Sequence, residues 1–245
     1  MWPILNKQVD EALKHWREPD AGIWEVRGGL KHFTSSKIMC WVAADRGAKL
    51  ARLMGETGKA QEWELAADEI KEDILTHGVD KRGVLTQHYD TTALDASLLL
   101  APLMRFLPAD DPRIRATVLA IADELTVHDL VLRYKVEETD DGFSGEEGSF
   151  TICSFWLVSA LCEIGEFHRA RKLCAKLLSF AGPLNLYGEE IDAHTGQHLG
   201  NFPQAFTHLA LINAVLHVIK LESRHQHGGN GQGDTKMSSQ PHPTD

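Results

Sequence analysis

Apolar residues recur along most of the chain at the spacing of an α-helix. In residues 3–17 they fall near positions i, i+3 and i+4, which places them on one face of a helix. The same periodicity predicts further helices over residues 33–55, 59–77, 90–105, 111–126, 149–164, 166–181 and 203–222. Segments with strand-like alternation are too short to build a sheet core. The pattern therefore predicts an all-α fold of about eight helices.

For several of these helices the sequence contains residues that predict where the helix begins or ends. Pro3 and Pro112 fall in first turns, where proline is favoured because its missing N–H needs no partner there. Gly78 and Gly165 follow helical runs, as expected of residues that end a helix. Residues 90–92 (Asp-Thr-Thr) are suited to cap the start of the helix predicted over 90–105.

Two helices are apolar around most of their circumference, at residues 150–164 and 206–219, and we expect both to be buried among other helices. The ranges 59–77 and 111–126 are amphipathic and suit an outer layer. Such alternation is typical of a helical toroid or an α-solenoid. A solenoid should show a fixed repeat with recurring signature residues, and the sequence shows none. The toroid is the better prediction.

Two long segments interrupt the helices. Residues 127–148 and 182–202 are rich in Gly, Asp and Glu, yet they retain aromatic and aliphatic residues, so we expect ordered loops with a function. From Ser223 the composition changes to polar residues and glycine, which cannot bury a core. We therefore expect one domain over residues 1–222 and a disordered tail over residues 223–245.

The overall composition narrows the class of protein. The chain has 43% apolar residues and a formal net charge of −10 at pH 7, which argues against a general nucleic-acid-binding protein. It contains no uninterrupted apolar run of membrane-spanning length and no recognisable signal peptide, so we expect a cytoplasmic protein without a membrane association. Its cysteines lie in apolar helical patterns, which favours buried, reduced thiols; they are Cys40, Cys153, Cys162 and Cys174.

Three clusters could carry chemistry. In the first, Trp24 precedes Glu25, so an aromatic platform lies beside an acid; the alternative is a buried tryptophan next to a solvated glutamate. The second places Glu189, Glu190 and Asp192 in a glycine-containing loop, and a solvated acidic loop is the alternative. The third contains Glu147 at a predicted helix start, where capping alone explains an acid. Residues and spacing leave these alternatives open.

Other chemistries receive less support. The sequence contains no dinucleotide-binding, phosphate-loop, zinc-protease or nucleophile-elbow motif. His194 and His198 are the only close histidine pair in a loop, and their segment is predicted to be a turn rather than a helix, which disfavours a metal site. We therefore expect neither a metal nor a cofactor.

Three ordered motifs resemble bacterial members of glycoside hydrolase family 15, which includes glucoamylases, glucodextranases and trehalases. They are DAGIWEVRGGLKHFTSSKIMCWVAADRG (20–47), GEEGSFTICSFWLVSAL (145–161) and EEIDAHTGQHLGNFPQAFTHLALINA (189–214). The resemblance implies an (α/α)6 toroid, the six-hairpin glycosidase fold. It also implies an inverting, exo-acting α-glucoside hydrolase that releases β-glucose and needs no cofactor.

The resemblance assigns roles to individual residues. Glu25 corresponds to the general acid of the family, with Trp24 beside the substrate, and Glu189 corresponds to the general base. Glu190 follows at a position where many glucoamylases have glutamine. The sugar-contacting loop residues would be Arg133, Tyr134 and Glu147, whereas His32 and Lys37 lie in a matched motif without a definite role. Val26 stands where fungal glucoamylases carry a second acid, which favours a substrate other than starch; trehalose and α-glucans both remain open.

The resemblance also indicates that part of the family's fold is missing. A complete (α/α)6 toroid has twelve helices, and the upstream WLRDA-type motif that grips the terminal glucose is absent. We therefore expect the carboxyl-terminal half to two-thirds of a catalytic domain, with little or no activity on its own. Exposed apolar faces would then favour self-association or association with a missing amino-terminal portion. The alternative function is a non-catalytic helical fragment that acts as an interaction module.

Overall fold

The computed structural model describes residues 1–136, 139 and 148–229, with side chains described as far as Arg224. Within these ranges the structure contains eight α-helices, and the all-α class predicted from the sequence is confirmed. The helices are α1 (Trp2–His15), α2 (Thr34–Leu53), α3 (Thr57–His77), α4 (Leu100–Leu103), α5 (Pro112–Glu124), α6 (Thr151–Glu163), α7 (Phe167–Leu178) and α8 (Ala205–Gly229).

Short strands lie in the two long loops or directly beside them. They are β1 (Thr126–Val127), β2 (Leu130–Val131), β3 (Ser149–Phe150), β4 (Glu190–Ile191) and β5 (His198–Leu199). Strands β1 and β2 form a hairpin, and β3, β4 and β5 form an antiparallel sheet with β4 in the centre. In this sheet Phe150 is paired with Glu190, so the sheet joins the start of α6 to the loop over residues 182–202.

Two pairs of consecutive helices, α2 with α3 and α6 with α7, form hairpins because the connections between them are short. Three residues join α2 to α3, and three join α6 to α7. Along α3 the buried side chains recur at helical spacing, which confirms the amphipathic pattern predicted for an outer helix. Trp63 on that face is completely buried and packs with Val9 of α1 and with Ala48 and Ala51 of α2. Helix α1 is thereby fixed to the first hairpin.

Helix α6 forms the centre of the core. Its residues from Cys153 to Cys162 are buried with the exception of Trp156, so almost the entire circumference of the helix is enclosed, as predicted for residues 150–164. It packs against α7 and α8 and against the segment around α4. Because α6 begins directly after β3, this central helix also fixes the position of the loops at its amino-terminal end.

Helix α8 differs from its prediction, since only one of its faces is buried. That face carries mostly small side chains, which allow close packing: Thr207, Ala210, Ala214 and Val218. The opposite face carries large apolar side chains that are each more than half exposed, and we call it the α8 stripe: Phe206, Leu209, Ile212, Leu216 and Ile219. By length and composition Ala205–Arg224 could also cross a membrane, a property that a core helix of a soluble protein can share.

The helix predicted over residues 90–105 begins later than expected. Residues 90–95 are not helical; a 3₁₀ turn over Ala96–Leu99 runs into α4. Asp90 has a left-handed φ of 60°, and the backbone N–H of Gln87 donates to the carbonyl of Ala93, which keeps this segment in a turn. The capping residue is Asp95, whose carboxylate accepts a hydrogen bond from the Ser97 backbone N–H at 2.7 Å.

Other sequence-based expectations are met. Pro3 and Pro112 lie in the first turns of α1 and α5, and Gly165 ends α6 with a left-handed φ of 80°. The cysteines are unpaired and, except for the half-buried Cys40, buried. Burial raises the pKa of the Cys162 thiol to about 12, so it stays protonated at neutral pH. Helix α8 continues to Gly229, and the rest of the predicted tail lies outside the described residues.

Candidate active site

Glu25 lies on a tight turn that leads into α2. The carboxylate of Asp20 accepts hydrogen bonds from the backbone N–H of Gly22 and from the Ser36 hydroxyl, each at 2.6 Å. The N–H of Glu25 donates to the Gly22 carbonyl at 3.2 Å, and Glu25 itself has a left-handed φ of 51°. A non-glycine residue rarely adopts this conformation, so the turn holds Glu25 in an unusual orientation.

Trp24, the neighbour of Glu25, forms part of an aromatic wall. Its half-buried indole lies 5.8 Å from the ring of Phe150 and 6.2 Å from that of Trp156, measured between centroids. Phe150 is the residue before α6 and Trp156 lies one and a half turns into it, so the central helix supports the loop that carries Glu25. Within the described residues, the exposed Glu25 carboxylate accepts no hydrogen bond of its own.

Glu189 is held much more firmly. Its Oε2 accepts hydrogen bonds from the backbone N–H of Asn201 at 3.2 Å and from the Asn201 side-chain amide at 3.0 Å. Its Oε1 accepts one from the Gln204 side-chain amide at 3.2 Å. The Glu189 backbone bonds to Asn201 and to Thr151 at the start of α6. Three N–H donors suit a carboxylate, which can only accept, and they fix the orientation of both oxygens.

Both glutamates line the same cavity, which has a volume of about 550 Å³. Their loops are far apart in sequence and meet because each is anchored at the amino-terminal end of α6. The walls between the two carboxylates are aromatic or apolar, with a few polar side chains. The remaining lining residues are Ile23, Trp24, Arg133, Phe150, Ile152, Trp156, Gln204, Phe206 and Thr207.

Apart from Trp24 and the two glutamates, Arg133 is the only predicted site residue among the described residues that line the cavity. Arg133 reaches the cavity, and its guanidinium lies 4.4 Å from the Phe150 ring centroid and 5.5 Å from that of Trp24. Tyr134 is only 3% exposed and packs with Val26 and Phe33 behind the cavity wall. Glu190, on β4, is half-buried and is not among the described residues that line the cavity. Glu147 lies outside the described residues.

Asp95 is a site residue that the sequence did not reveal. Its fully buried carboxylate accepts hydrogen bonds from the Trp24 indole N–H at 3.0 Å and 3.1 Å. Burial raises the pKa of the Asp95 carboxyl, and hydrogen bonds from Ser97, Trp24 and Gln87 oppose that rise. The only signal in the sequence was an acid before an apolar run, which capping explains.

Asn201 and Gln204 were also missed as site residues. Both belong to the matched motif over residues 189–214, but an amide in a loop has no chemical signature that would assign it to Glu189. The structure supplies that assignment because the chain from Glu189 to Gln204 folds back on itself through β4 and β5. Their amides therefore reach the carboxylate that lies 12 and 15 residues earlier in the chain.

His198 and Lys37 form hydrogen bonds with the backbone that stabilise the fold. His198 accepts a hydrogen bond from the Gly188 N–H through Nδ1, and its Nε2 lies 3.0 Å from the Phe180 carbonyl, which suits the neutral tautomer protonated at Nε2. The buried ammonium of Lys37 donates to the carbonyls of Trp16 and Glu18 and so joins the end of α1 to α2. In the described part of the chain, no group of three or more His, Cys, Asp or Glu side chains is arranged to hold a metal ion.

The arrangement can support acid–base chemistry on a sugar. Aromatic rings pack against the C–H faces of a pyranose, and charged or amide groups bind its hydroxyls. Two carboxyl groups on one cavity can act as general acid and general base in glycoside hydrolysis; inversion requires a separation of roughly 6.5–9.5 Å. One of the two, Glu189, is oriented by amides, and the other, Glu25, is free to approach a leaving oxygen.

Curated relatives of the chain are trehalases. It is 72% identical over 229 residues to a trehalase of Mycolicibacterium smegmatis and 71% identical to one of Mycobacterium tuberculosis, each alignment covering 94% of the chain. It is also 38% identical over 216 residues to a trehalase of Thermoplasma acidophilum. The chain spans about a third of the length of these relatives, 34% for the two mycobacterial proteins.

Solved structures show the same fold. A bacterial glucoamylase complexed with acarbose matches 88% of the chain and 37% of its own length, with a TM-score of 0.73 and 16% identity. A structure described as a wild-type glycosidase matches 86% of the chain and 58% of its own length, with a TM-score of 0.72 and 20% identity. The predicted fold, part of an (α/α)6 toroid, is confirmed.

The family model described as "Glycosyl hydrolases family 15" matches residues 1–216. That range contains the turn with Glu25, the central helix and the loop with Glu189. It also contains all three motifs on which the resemblance was based. The chain therefore belongs to glycosyl hydrolase family 15.

Proposed function

We propose that this chain supplies the catalytic acid and base of an inverting, exo-acting α-glucoside hydrolase whose substrate is trehalose. The observation that carries the proposal is that Glu25 and Glu189, far apart in sequence, line one cavity with aromatic walls. Trehalose is preferred over an α-glucan because two curated relatives that are 72% and 71% identical to the chain are named trehalases. The whole reaction is a proposal, since those relatives are about three times as long as the chain.

In the proposed mechanism Glu25 protonates the glycosidic oxygen while Glu189 deprotonates a water molecule on the opposite face of the sugar. The hydrogen bonds from Asn201 and Gln204 orient the Glu189 carboxylate towards that water. Attack from the side opposite the leaving group inverts the anomeric carbon and releases β-glucose. Trp24 and Arg133 contact the bound sugar, and no cofactor takes part.

We further propose that the chain has little activity by itself. Its cavity is bordered by side chains that are largely exposed, such as Phe206 at 67% and Ile23 at 47%. A sugar in an open cavity keeps contact with bulk water, which weakens the electrostatic interactions that favour the transition state. Closing the cavity requires further parts of a family 15 protein.

A chimeric enzyme tests the proposed function. This chain replaces the matching region of the Mycolicibacterium smegmatis trehalase, and trehalose and maltose are compared as substrates. We expect faster turnover of trehalose. Glu25→Gln and Glu189→Gln should each lower kcat by about 100-fold or more, because each removes a proton-transfer group. Glu62→Gln, at an exposed position on α3, is the matched control and should leave kcat unchanged.

NMR of the first-formed sugar tests the stereochemistry. Inversion at the anomeric carbon predicts β-glucose from the attacked ring before mutarotation. Initial release of α-glucose alone would overturn the inverting mechanism, and full turnover by either glutamine variant would remove that glutamate from it. Robust trehalose hydrolysis by the isolated chain would contradict the expected need for the rest of the protein.

The non-catalytic alternative has one supporting observation. The α8 stripe exposes five large apolar side chains, as an interaction module would. The same chimera distinguishes the two functions. An active chimera that loses activity in both glutamine variants supports the enzyme. A chimera that folds, as judged by a cooperative melting transition, but hydrolyses neither sugar supports the interaction module.

A further inference from the structure

A buried acid lies directly behind the aromatic wall of the cavity. Asp95 is 1% exposed, and both of its carboxylate oxygens lie within hydrogen-bond distance of the Trp24 indole nitrogen, at 3.0 Å and 3.1 Å. Trp24 lines the cavity and is adjacent in the chain to Glu25. The Asp95 carboxylate thus contacts a residue of the cavity wall but does not itself line the cavity.

The other contacts of Asp95 fix its carboxylate in place. Oδ1 accepts a hydrogen bond from the Ser97 backbone N–H at 2.7 Å, and Oδ2 accepts one from the Gln87 side-chain amide at 3.3 Å. Gln87 is itself held, because its Oε1 accepts a hydrogen bond from the Thr139 hydroxyl at 3.2 Å. The groups that meet the Asp95 carboxyl are all able to donate a hydrogen bond: the Trp24 indole, the Gln87 amide, and the backbone N–H and hydroxyl of Ser97.

The same segment also bonds to Arg133, whose guanidinium lies over the Trp24 indole. The backbone N–H of Ala96 donates to the carbonyl of Arg133 at 2.8 Å, and the Arg133 guanidinium lies 5.5 Å from the Trp24 ring centroid. Residues 95 and 96 therefore bond to the Trp24 indole and to the backbone of Arg133. The indole cannot rotate out of the wall without breaking its hydrogen bond to the buried Asp95 carboxyl group, and an unpaired polar group in the interior is costly.

We propose that Asp95 is a positioning residue of the cavity, which holds the Trp24 indole and, through the backbone of the turn, sets the place of the Glu25 carboxyl. The expected effect of Asp95 on catalysis rests on the proposed function. The expected effect of Asp95 on the position of the Trp24 indole does not. Glu25 depends on such support because none of the described residues donates a hydrogen bond to its carboxylate. An Asp95 variant should therefore affect kcat more than KM.

Spectroscopy of the isolated chain tests the structural part without any activity. In an ¹⁵N–¹H spectrum the six tryptophans give separate indole N–H resonances, and Trp24→Phe identifies the one from Trp24. In Asp95→Asn we expect that resonance to move upfield while the other five keep their positions. Asp111→Asn is the matched control, since Asp111 also caps a helix by accepting a backbone N–H two residues later but is not among the described residues that line the cavity.

Kinetics in the chimera test the catalytic part. Asp95→Asn should lower kcat about 10- to 100-fold with KM within about threefold, because small displacements of a catalytic group have effects of this size. Asp111→Asn should leave kcat unchanged even if it lowers the melting temperature. Added to Trp24→Phe, Asp95→Asn should cause no further loss, because both changes break the same hydrogen bond.

The outcomes are distinguishable. An unmoved Trp24 resonance in Asp95→Asn, or multiplied losses in the double variant, would overturn the positioning role. If the chimera is inactive with every version of the chain, the proposed function fails, and the resonance shift still decides whether Asp95 holds Trp24. If Asp95→Asn does not fold, Trp24→Phe decides instead: it keeps an aromatic ring but lacks the N–H, and unchanged kcat would overturn the proposal.

Discussion

At the scale of single residues, the two carboxylates are held in different ways. Glu189 is oriented by two side-chain amides and one backbone N–H, whereas Glu25 depends on the geometry of its turn and on Trp24. The motif resemblance pointed to both glutamates, whereas residue types and spacing alone left a solvated acid as the alternative for each. It did not point to the amides or to Asp95, since buried polar contacts depend on which loops meet.

Gly200 provides a test of the orientation of Glu189. A Cβ at Gly200 would lie 2.7 Å from the Glu189 Oε2, and the residue has a φ of 70°. Gly200→Ala should therefore lower stability by about 1–2 kcal/mol through backbone strain. It should also displace the carboxylate and lower kcat of the chimera by about tenfold or more. Urea unfolding and steady-state kinetics measure the two effects.

Gly196 is a matched control in the same loop. Its φ is 72°, but an added Cβ would make only ordinary contact, 3.5 Å from the ring of Phe180. Gly196→Ala should carry a similar loss of stability and no loss of kcat. Equal kinetic losses in both variants would show that loop strain, rather than contact with Glu189, limits the rate.

At the scale of helices, the periodicity predicted the elements well and their ends less well. Seven of the predicted ranges correspond to single helices in the described structure, while the range 90–105 does not. There the chain from Asp90 to Asp95 is not helical: the Ala93 carbonyl accepts a hydrogen bond from the Gln87 N–H, and the Ala93 N–H donates to the Thr91 hydroxyl. The apolar periodicity could not reveal this, since these hydrogen bonds depend on the conformation of the backbone and not on the spacing of apolar residues.

Packing between helices can be tested at Gly47 in the interior of α2. A Cβ there would lie 2.8 Å from Val9 and 3.0 Å from Trp63, so the backbone of α2 approaches both neighbours closely. Gly47→Ala should cost about 1–3 kcal/mol through overpacking, which exceeds the gain of about 1 kcal/mol from helix propensity. The free energy of unfolding in urea measures the net effect.

Gly58 near the start of α3 is the corresponding control. A Cβ there meets no atom within 4 Å. Gly58→Ala should therefore stabilise the protein by up to about 1 kcal/mol, because alanine favours the helix and no neighbour must move. If both alanine variants shifted stability in the same direction, close approach at Gly47 would not be the explanation.

At the scale of the whole molecule, the exposed face of α8 is the dominant feature. Its small side chains pack inward against the core and its large ones point outward, the reverse of an ordinary surface helix. We expect the isolated chain to associate through this face in a concentration-dependent manner, because water is excluded when apolar surfaces meet.

Charge substitutions on the α8 stripe test that expectation. Leu209→Glu combined with Leu216→Glu should shift the protein towards monomer in sedimentation experiments, since both side chains are more than half exposed and neither supports the core. Leu65→Glu on α3 is the control, because Leu65 is 65% exposed but lies away from the stripe. A monomer at all concentrations, or equal effects of all substitutions, would contradict an association through α8.

The sequence by itself determined the helical class and, through three motifs, the toroidal fold, because helical periodicity and short motifs are local properties of the chain. The same motifs singled out the two glutamates as the candidate acid and base. Only the tertiary structure decided that both glutamates share one cavity, that Asn201 and Gln204 orient Glu189, and that Asp95 lies behind Trp24. These contacts join segments distant in sequence around the amino-terminal end of α6. A buried hydrogen bond of this kind depends on where the backbone places its two partners, and no local pattern encodes that distance.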